Sequence, residues 1–139
     1  MTDRLSALHR LSHFQSEEYQ KARAEFRDQW KEDGLIMNKL FMVTALSKAE
    51  NTFEELKKVW DSEDFDSSNP NNIYALLYTF AQYNWPAFHD LNSDSYDWFV
   101  EKTLEVDGRN PQVGARLGGC LNIWNKLDSK YHGPMKKPL

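Results

Sequence analysis

Helix-start signals recur along this chain at one interval. Ser16 and Asp33, Thr52 and Asn69, and Ser93 and Asn110 each stand 17 residues apart. All six are residue types whose side-chain oxygen accepts a bond from an orphaned N–H of a first helical turn. Pro70 and Pro111 follow the two Asn residues, and Pro loses nothing at the first helical position because its missing N–H has no intrahelical partner there. The first two pairs begin 36 residues apart and the last two 41, close to the roughly 40–47 residues of HEAT and armadillo units. The pattern predicts an all-α fold of stacked antiparallel helix pairs forming an α-superhelix of HEAT/armadillo type, with hairpins near 16–48, 52–83 and 93–125. A helix from about Asp3 to Phe14 precedes them and a short one near Asp128 follows, within a single domain spanning 1–139. A plain helical bundle would show the same amphipathicity; the matching cap intervals favour the stack.

The apolar spacing agrees with helices nearly throughout. Tyr19, Ala22, Phe26 and Trp30 form one stripe, with Glu17, Lys21, Glu25 and Asp28 on the opposite face, and Gly34 is expected to end this helix. Leu35 to Leu46 is apolar on most sides, which marks an inner helix. Thr52 with Glu55 matches a capping box. Asp61 to Asn72 is an acidic, Ser/Asn-rich loop, and Pro86 breaks the helix before Phe88 and His89. Ser93 is expected to cap a helix that Asp107-Gly108 ends. Val, Ile and Thr nowhere alternate as a strand requires.

Composition then narrows the function. With 40% hydrophobic and 14% aromatic residues, the chain has the material for a packed core and not the composition of a disordered one. No apolar run approaches the ~18 residues of a membrane span, and the start, with Asp3, Arg4, His9 and Arg10, lacks a secretory signal; the expectation is a cytoplasmic protein with no membrane partner. Seventeen Lys and Arg against 21 Asp and Glu, without a basic run, argue against nucleic acid. The lone Cys120 reads as a small buried hydrophobe.

Few residues carry chemistry. His9 and His13 lie four apart on the predicted first helix, one face of which would hold a zinc ion, and Glu32 follows His13 after 18 residues, the spacing of the third gluzincin ligand. The general base of that motif should follow the first His. Arg10 stands there, which accepts no proton and repels a cation, so the set is a decoy and no metal site is expected. His89 beside Phe88 reads as a packed residue with a hydrogen bond, or as a group orienting a substrate. Arg116, on the helix begun by Asn110, snorkels, pairs with a carboxylate such as Asp107, or lines a polar cavity; pairing is the default. Gly118-Gly119 in the same helix costs ~1 kcal/mol per Gly relative to Ala, which a close helix approach would offset.

The residues Phe65-Asp66-x-x-Asn69-Pro70-Asn71-Asn72-Ile73-Tyr74-x-Leu76, then Phe80, Phe88-His89, Asn110-Pro111-Gln112-Val113-x-Ala115-Arg116-Leu117 and Trp124-x-x-Leu127-Asp128, resemble the C-terminal end of aminopeptidase N, the zinc-dependent alanyl aminopeptidase family. Phe26-x-x-x-Trp30 and Leu35-x-Met37-x-Lys39-x-Phe41 resemble the preceding part of the same domain. The resemblance implies a superhelical domain that packs on the catalytic domain and closes the chamber over the active site. It implies no catalysis and no cofactor here, since the family's zinc helix and Gly-x-Met-Glu-Asn motif lie upstream in a separate domain. It also places Arg116 near the inner cavity, with Tyr74 and His89 as further substrate-channel candidates, and Asn69, Pro70, Asn110 and Pro111 as structural caps. Tyr74 stands where bacterial members usually carry Arg, Ser95 replaces a Gly and Leu40 a Trp, and relatives continue with further helices beyond the position of Leu139.

The expected function is therefore a non-catalytic C-terminal domain of an aminopeptidase N, with that enzyme's catalytic domain as partner and peptide as an indirect one. An independent helical-repeat module that binds protein or peptide is the alternative, and a minimal metalloenzyme a distant third.

Overall fold

The computed structural model describes residues 2–14 and 16–122; the short helix expected near Asp128 and the end of the last hairpin lie outside them. The described residues are helical, without a strand. The helices are α1 (Thr2–Ser12), α2 (Glu17–Trp30), α3 (Gly34–Leu46), α4 (Thr52–Trp60), α5 (Pro70–Ile73), α6 (Thr79–Tyr83), α7 (Trp85–Phe88), α8 (Ser95–Asp107) and α9 (Pro111–Gly118). A π segment, Tyr74–Tyr78, joins α5 to α6, so residues 70–83 run as one rod.

Local chemistry sets most of the starts. Ser16 accepts from the Tyr19 N–H, Asp33 from those of Leu35 and Ile36, Asn69 from Asn71 and Asn110 from Val113. Three starts differ from the sequence reading. Gly34 does not end α2 but opens α3 behind the Asp33 cap. Thr52 is not a cap: it is the first residue of α4, buried, and its hydroxyl donates to the Ser47 and Ala49 carbonyls at 3.0 and 2.8 Å. Here tertiary burial outweighs the capping box. Likewise α8 begins at Ser95, while Ser93 Oγ accepts from the Ser95 N–H at 3.3 Å just before it.

Side-chain contacts order the helices into two layers. The Arg4 guanidinium donates to Gln29, so α1 and α2 are antiparallel. At the other end of α1, Ser47 Oγ donates to the Ser12 carbonyl at 2.6 Å and the Lys48 N–H to His13 Nδ1 at 2.9 Å, which aligns the ends of α1 and α3. Asn72 Nδ2 donates to Asn38 Oδ1 at 2.9 Å near the starts of the 70–83 rod and α3. Asn84 Nδ2 donates to the Ala45 and Ser47 carbonyls at 2.8 and 2.7 Å near their ends. The rod and α3 are therefore parallel. Arg109 reaches Ser67 Oγ at 2.8 Å, returning the chain to the start of the rod before α9 runs beside it. Thus α1, α3, the rod and α9 form one layer running one way, and α2, α4 and α8 a second running back.

The core lies between the layers and is mostly aromatic. Phe41, Phe53, Trp60, Phe65, Phe80, Phe88, Tyr96 and Phe99 are all buried, with edge-on or tilted rings 4.9–6.3 Å apart. Arg27 ties α2 to the loop after α4 through a two-bond fork on Asp64, at 2.8 and 2.7 Å. That guanidinium holds the Asp64 carboxyl below its ordinary value. Cys120 is buried, and burial pushes its thiol up to about 11, which leaves it a poor nucleophile.

Candidate functional site: an aromatic-cation ridge on one layer

The first layer differs chemically from the second. Within α3, the rod and α9 there is no Asp or Glu, and Lys39 and Arg116 are the only charged residues. The second layer is carboxylate-rich: α8 alone carries Asp97, Glu101, Glu105 and Asp107 against Lys102. The α3, rod and α9 part of the first layer therefore presents cations without acids on the same helices, a field that draws anionic groups toward it.

The ridge itself is built by the π segment. The Thr79 N–H bonds to the Tyr74 carbonyl, the i→i+5 pattern, and Thr79 Oγ1 adds a bond to the same oxygen at 3.2 Å. π turns of this kind recur at functional sites because they re-aim side chains within a helix. Here Tyr74 and Tyr78 stand with ring centroids 6.1 Å apart and planes at 79°. Arg116 of α9 places its guanidinium carbon 5.1 Å from the Tyr74 ring and 5.4 Å from the Tyr78 ring. Such contacts contribute ~0.5–1 kcal/mol each at exposed sites. They also orient the planar group through its face and leave N–H donors on its edge for a ligand.

The expected Arg116–Asp107 pair is not formed; among the described residues Arg116 stacks on tyrosines, while Asp107 packs against Gly114. The reason is register: α9 lies along the rod, and the turn carrying Arg116 faces the π segment. One turn on, Gln82 Nε2 meets Cys120 Sγ at 3.6 Å and continues the same contact line. Arg116 and Tyr74 are thus brought together. Tyr78 was missed, although its i+4 spacing from Tyr74 puts it on the same helix face.

His89 belongs to a separate, buried cluster. It caps the end of α7, its Nδ1 lies 2.5 Å from Tyr96 Oη, and the Trp85 and Phe88 rings pack 5.3 and 4.9 Å from it. Burial lowers its pKa to about 4 from 6.5. Because the folded pKa lies below the unfolded one, the unfolded chain binds more protons between those values. The stability due to neutral His89 is complete above pH 6.5 and declines as pH falls toward 4. His89→Gln, which takes up no proton, should flatten the fall in melting temperature across that window; the same slope in variant and parent would refute this assignment.

The early histidines do not make a zinc site with Glu32. His13 Nδ1 is taken by the Lys48 N–H, and the two rings sit edge-on at 4.9 Å. Glu32 follows α2 and lines a polar groove with Asp33, Gly34, Asn38, Asn69 and Asn71, whereas His9 lines a different groove with Leu5, Lys39 and Met42. Among the described residues no three His, Cys, Asp or Glu groups converge for a metal.

Antiparallel helix pairs stacked in two layers, with an acid-free aromatic ridge along one of them, define an α-helical repeat domain. The chain matches over residues 1–139 the family model described as "Domain of unknown function (DUF3458_C) ARM repeats", and it belongs to that family. It is similar to the C-terminal region of aminopeptidase N. It is 34% identical over its whole length to aminopeptidase N of Escherichia coli, and 32% identical over 84% of its length to that of Haemophilus influenzae. A crystal structure of Legionella pneumophila aminopeptidase A in complex with aspartic acid superposes on 99% of the chain with a TM-score of 0.93 and 31% identity. The chain spans only 13–16% of the length of these relatives.

Proposed function

We propose that this chain is the non-catalytic C-terminal domain of a zinc-dependent aminopeptidase N, packing on the catalytic domain and shaping the path by which peptides reach the active site. The observation that carries this reading is the full-length correspondence with aminopeptidase regions in both sequence and backbone. The residues of the chain support a passive chemical role, since its buried His89 and Cys120 are held neutral and its early histidines do not meet Glu32. Zinc belongs to the catalytic domain in this reading. The Tyr74–Tyr78–Arg116 ridge lines the peptide path, where the edge of the stacked guanidinium donates hydrogen bonds to a peptide carboxylate. The protein works in the cytoplasm.

The test compares substrates with and without a free carboxylate. In the complete enzyme, Arg116→Ala should raise KM for short peptides roughly tenfold, as expected for losing one partly exposed charge-assisted contact, with kcat unchanged. KM for an alanyl anilide or an amidated peptide should not move. An equal loss on the anilide would make Arg116 purely structural. Anilide hydrolysis by the purified chain alone, abolished by His9→Ala, would overturn the reading as a whole.

A further inference from the structure

Thr44 and Thr103, inside α3 and α8, return their hydroxyls to the carbonyl four residues back. Thr103 Oγ1 donates to the Phe99 carbonyl at 2.7 Å and Thr44 Oγ1 to that of Leu40 at 3.4 Å. Thr79 departs from this pattern. It is buried, and its hydroxyl reaches five residues back, to the Tyr74 carbonyl that its own N–H already bonds. One oxygen thus takes both donors of one residue, and the hydroxyl bond reinforces the π turn rather than an α turn ending at Ala75. That turn decides which side chains face α9. Along an unbroken α-helix, positions 74, 78 and 82 drift round the axis by about 40° at each step of four. The wider turn takes up part of this drift, and all three positions meet α9. The rings of Tyr74 and Tyr78 stand against Arg116, and Gln82 Nε2 against Cys120 Sγ.

We propose that Thr79 is a positioning residue for peptide recognition: its hydroxyl holds the π turn in the register that stands Tyr74 and Tyr78 against the Arg116 guanidinium. Thr79 is too deeply buried to touch a peptide itself. The proposal rests on the reading of Arg116 as the group that binds a peptide carboxylate. Without the hydroxyl, the Thr79 N–H returns to the Ala75 carbonyl, as the four-residue ladder of an α-helix requires. That change of register carries the half-buried tyrosine rings off the guanidinium. Arg116, itself exposed, then loses the faces that orient its planar group and offers its N–H donors in many directions instead of one.

Two substitutions in the complete enzyme separate the hydroxyl from the shape of the side chain. Thr79→Val keeps the branched shape and removes the hydroxyl, whereas Thr79→Ser keeps the hydroxyl. Thr79→Val should raise KM for short free-carboxylate peptides about threefold, the scale of losing an exposed cation–ring contact, with kcat unchanged. KM for an alanyl anilide should not move, and Thr79→Ser should match the parent on both substrates. In the Arg116→Ala background, Thr79→Val should add nothing, because the two residues act through one group. A second readout needs no substrate. Phenylglyoxal, an arginine-selective dicarbonyl, should modify Arg116 several-fold faster in Thr79→Val than in the parent, and at the parent rate in Thr79→Ser. An unchanged rate at Arg116 in Thr79→Val overturns the proposal, as does an equal rise of KM on peptide and anilide. If Arg116→Ala separates the two substrates and Thr79→Val does not, the proposal fails while the reading of Arg116 stands. If neither separates them, that reading fails and the proposal with it.

Discussion

Phe88→Ala is expected to destabilise the protein by about 3–5 kcal/mol, the range for truncating a fully buried aromatic ring. Phe88 is 0% exposed, and the rings of Phe80, His89, Tyr96 and Phe99 surround it at 4.9–5.6 Å. It sits in the short helix after the Pro86 break, so its ring joins the 70–83 rod to α8. The cavity left by Ala would face aromatic walls that cannot collapse inward without giving up their own edge-on contacts. The loss is a large part of the 5–15 kcal/mol typical of a domain. Urea unfolding measures it directly; a loss under 1 kcal/mol would mean that these rings repack and that Phe88 does not hold the 70–83 rod to α8.

Gly114→Ala should be the most damaging single-methyl addition among the glycines of α9, costing about 3 kcal/mol, the upper end of the overpacking range. A Cβ at Gly114 would lie 2.6 Å from Asp107 Cβ and 2.7 Å from its Cα. Rotating the Asp107 side chain relieves neither contact, so α8 and α9 would have to separate. Gly118→Ala and Gly119→Ala are the controls and should change stability in the opposite direction, by up to ~1 kcal/mol, because Ala is the better helix former. Among the described residues nothing lies within 4 Å of a Cβ at either position. Thermal unfolding of the three variants decides the matter; equal effects at 114 and 118 would place the helix approach elsewhere.

The glycines also show where reading the sequence stops. Gly118-Gly119 drew attention as a pair, yet the close approach is made at Gly114, which has no local mark. Gly114 and Gly118 stand four residues apart on one face of the helix and look alike until the partner helix is in place. The same holds for Arg116. Its position beside Val113 and Leu117 was legible, but Asp107 and Tyr74 were both plausible neighbours until the packing of α9 along the rod chose the tyrosines. Thr52 and Ser93 show the converse error, in which a local signal was present and the hydroxyl was used otherwise, Thr52 bonding the Ser47 and Ala49 carbonyls and Ser93 the Asp90 carbonyl of the preceding turn.

By itself, the sequence determined the all-helical class and the places where Ser16, Asp33, Asn69 and Asn110 start helices, because a cap is a bond between an oxygen and an N–H two or three residues away. It also determined that α3 lies inside, since an apolar helix has no stable place in water. Only the tertiary structure decided the layer order, the π turn at Tyr74–Tyr78, the seat of Arg116, and the placing of the acid-free helices α3, the rod and α9 side by side. Those depend on contacts between residues some 35 to 42 positions apart, whose geometry is set by how whole helices settle against one another rather than by any short run of residues.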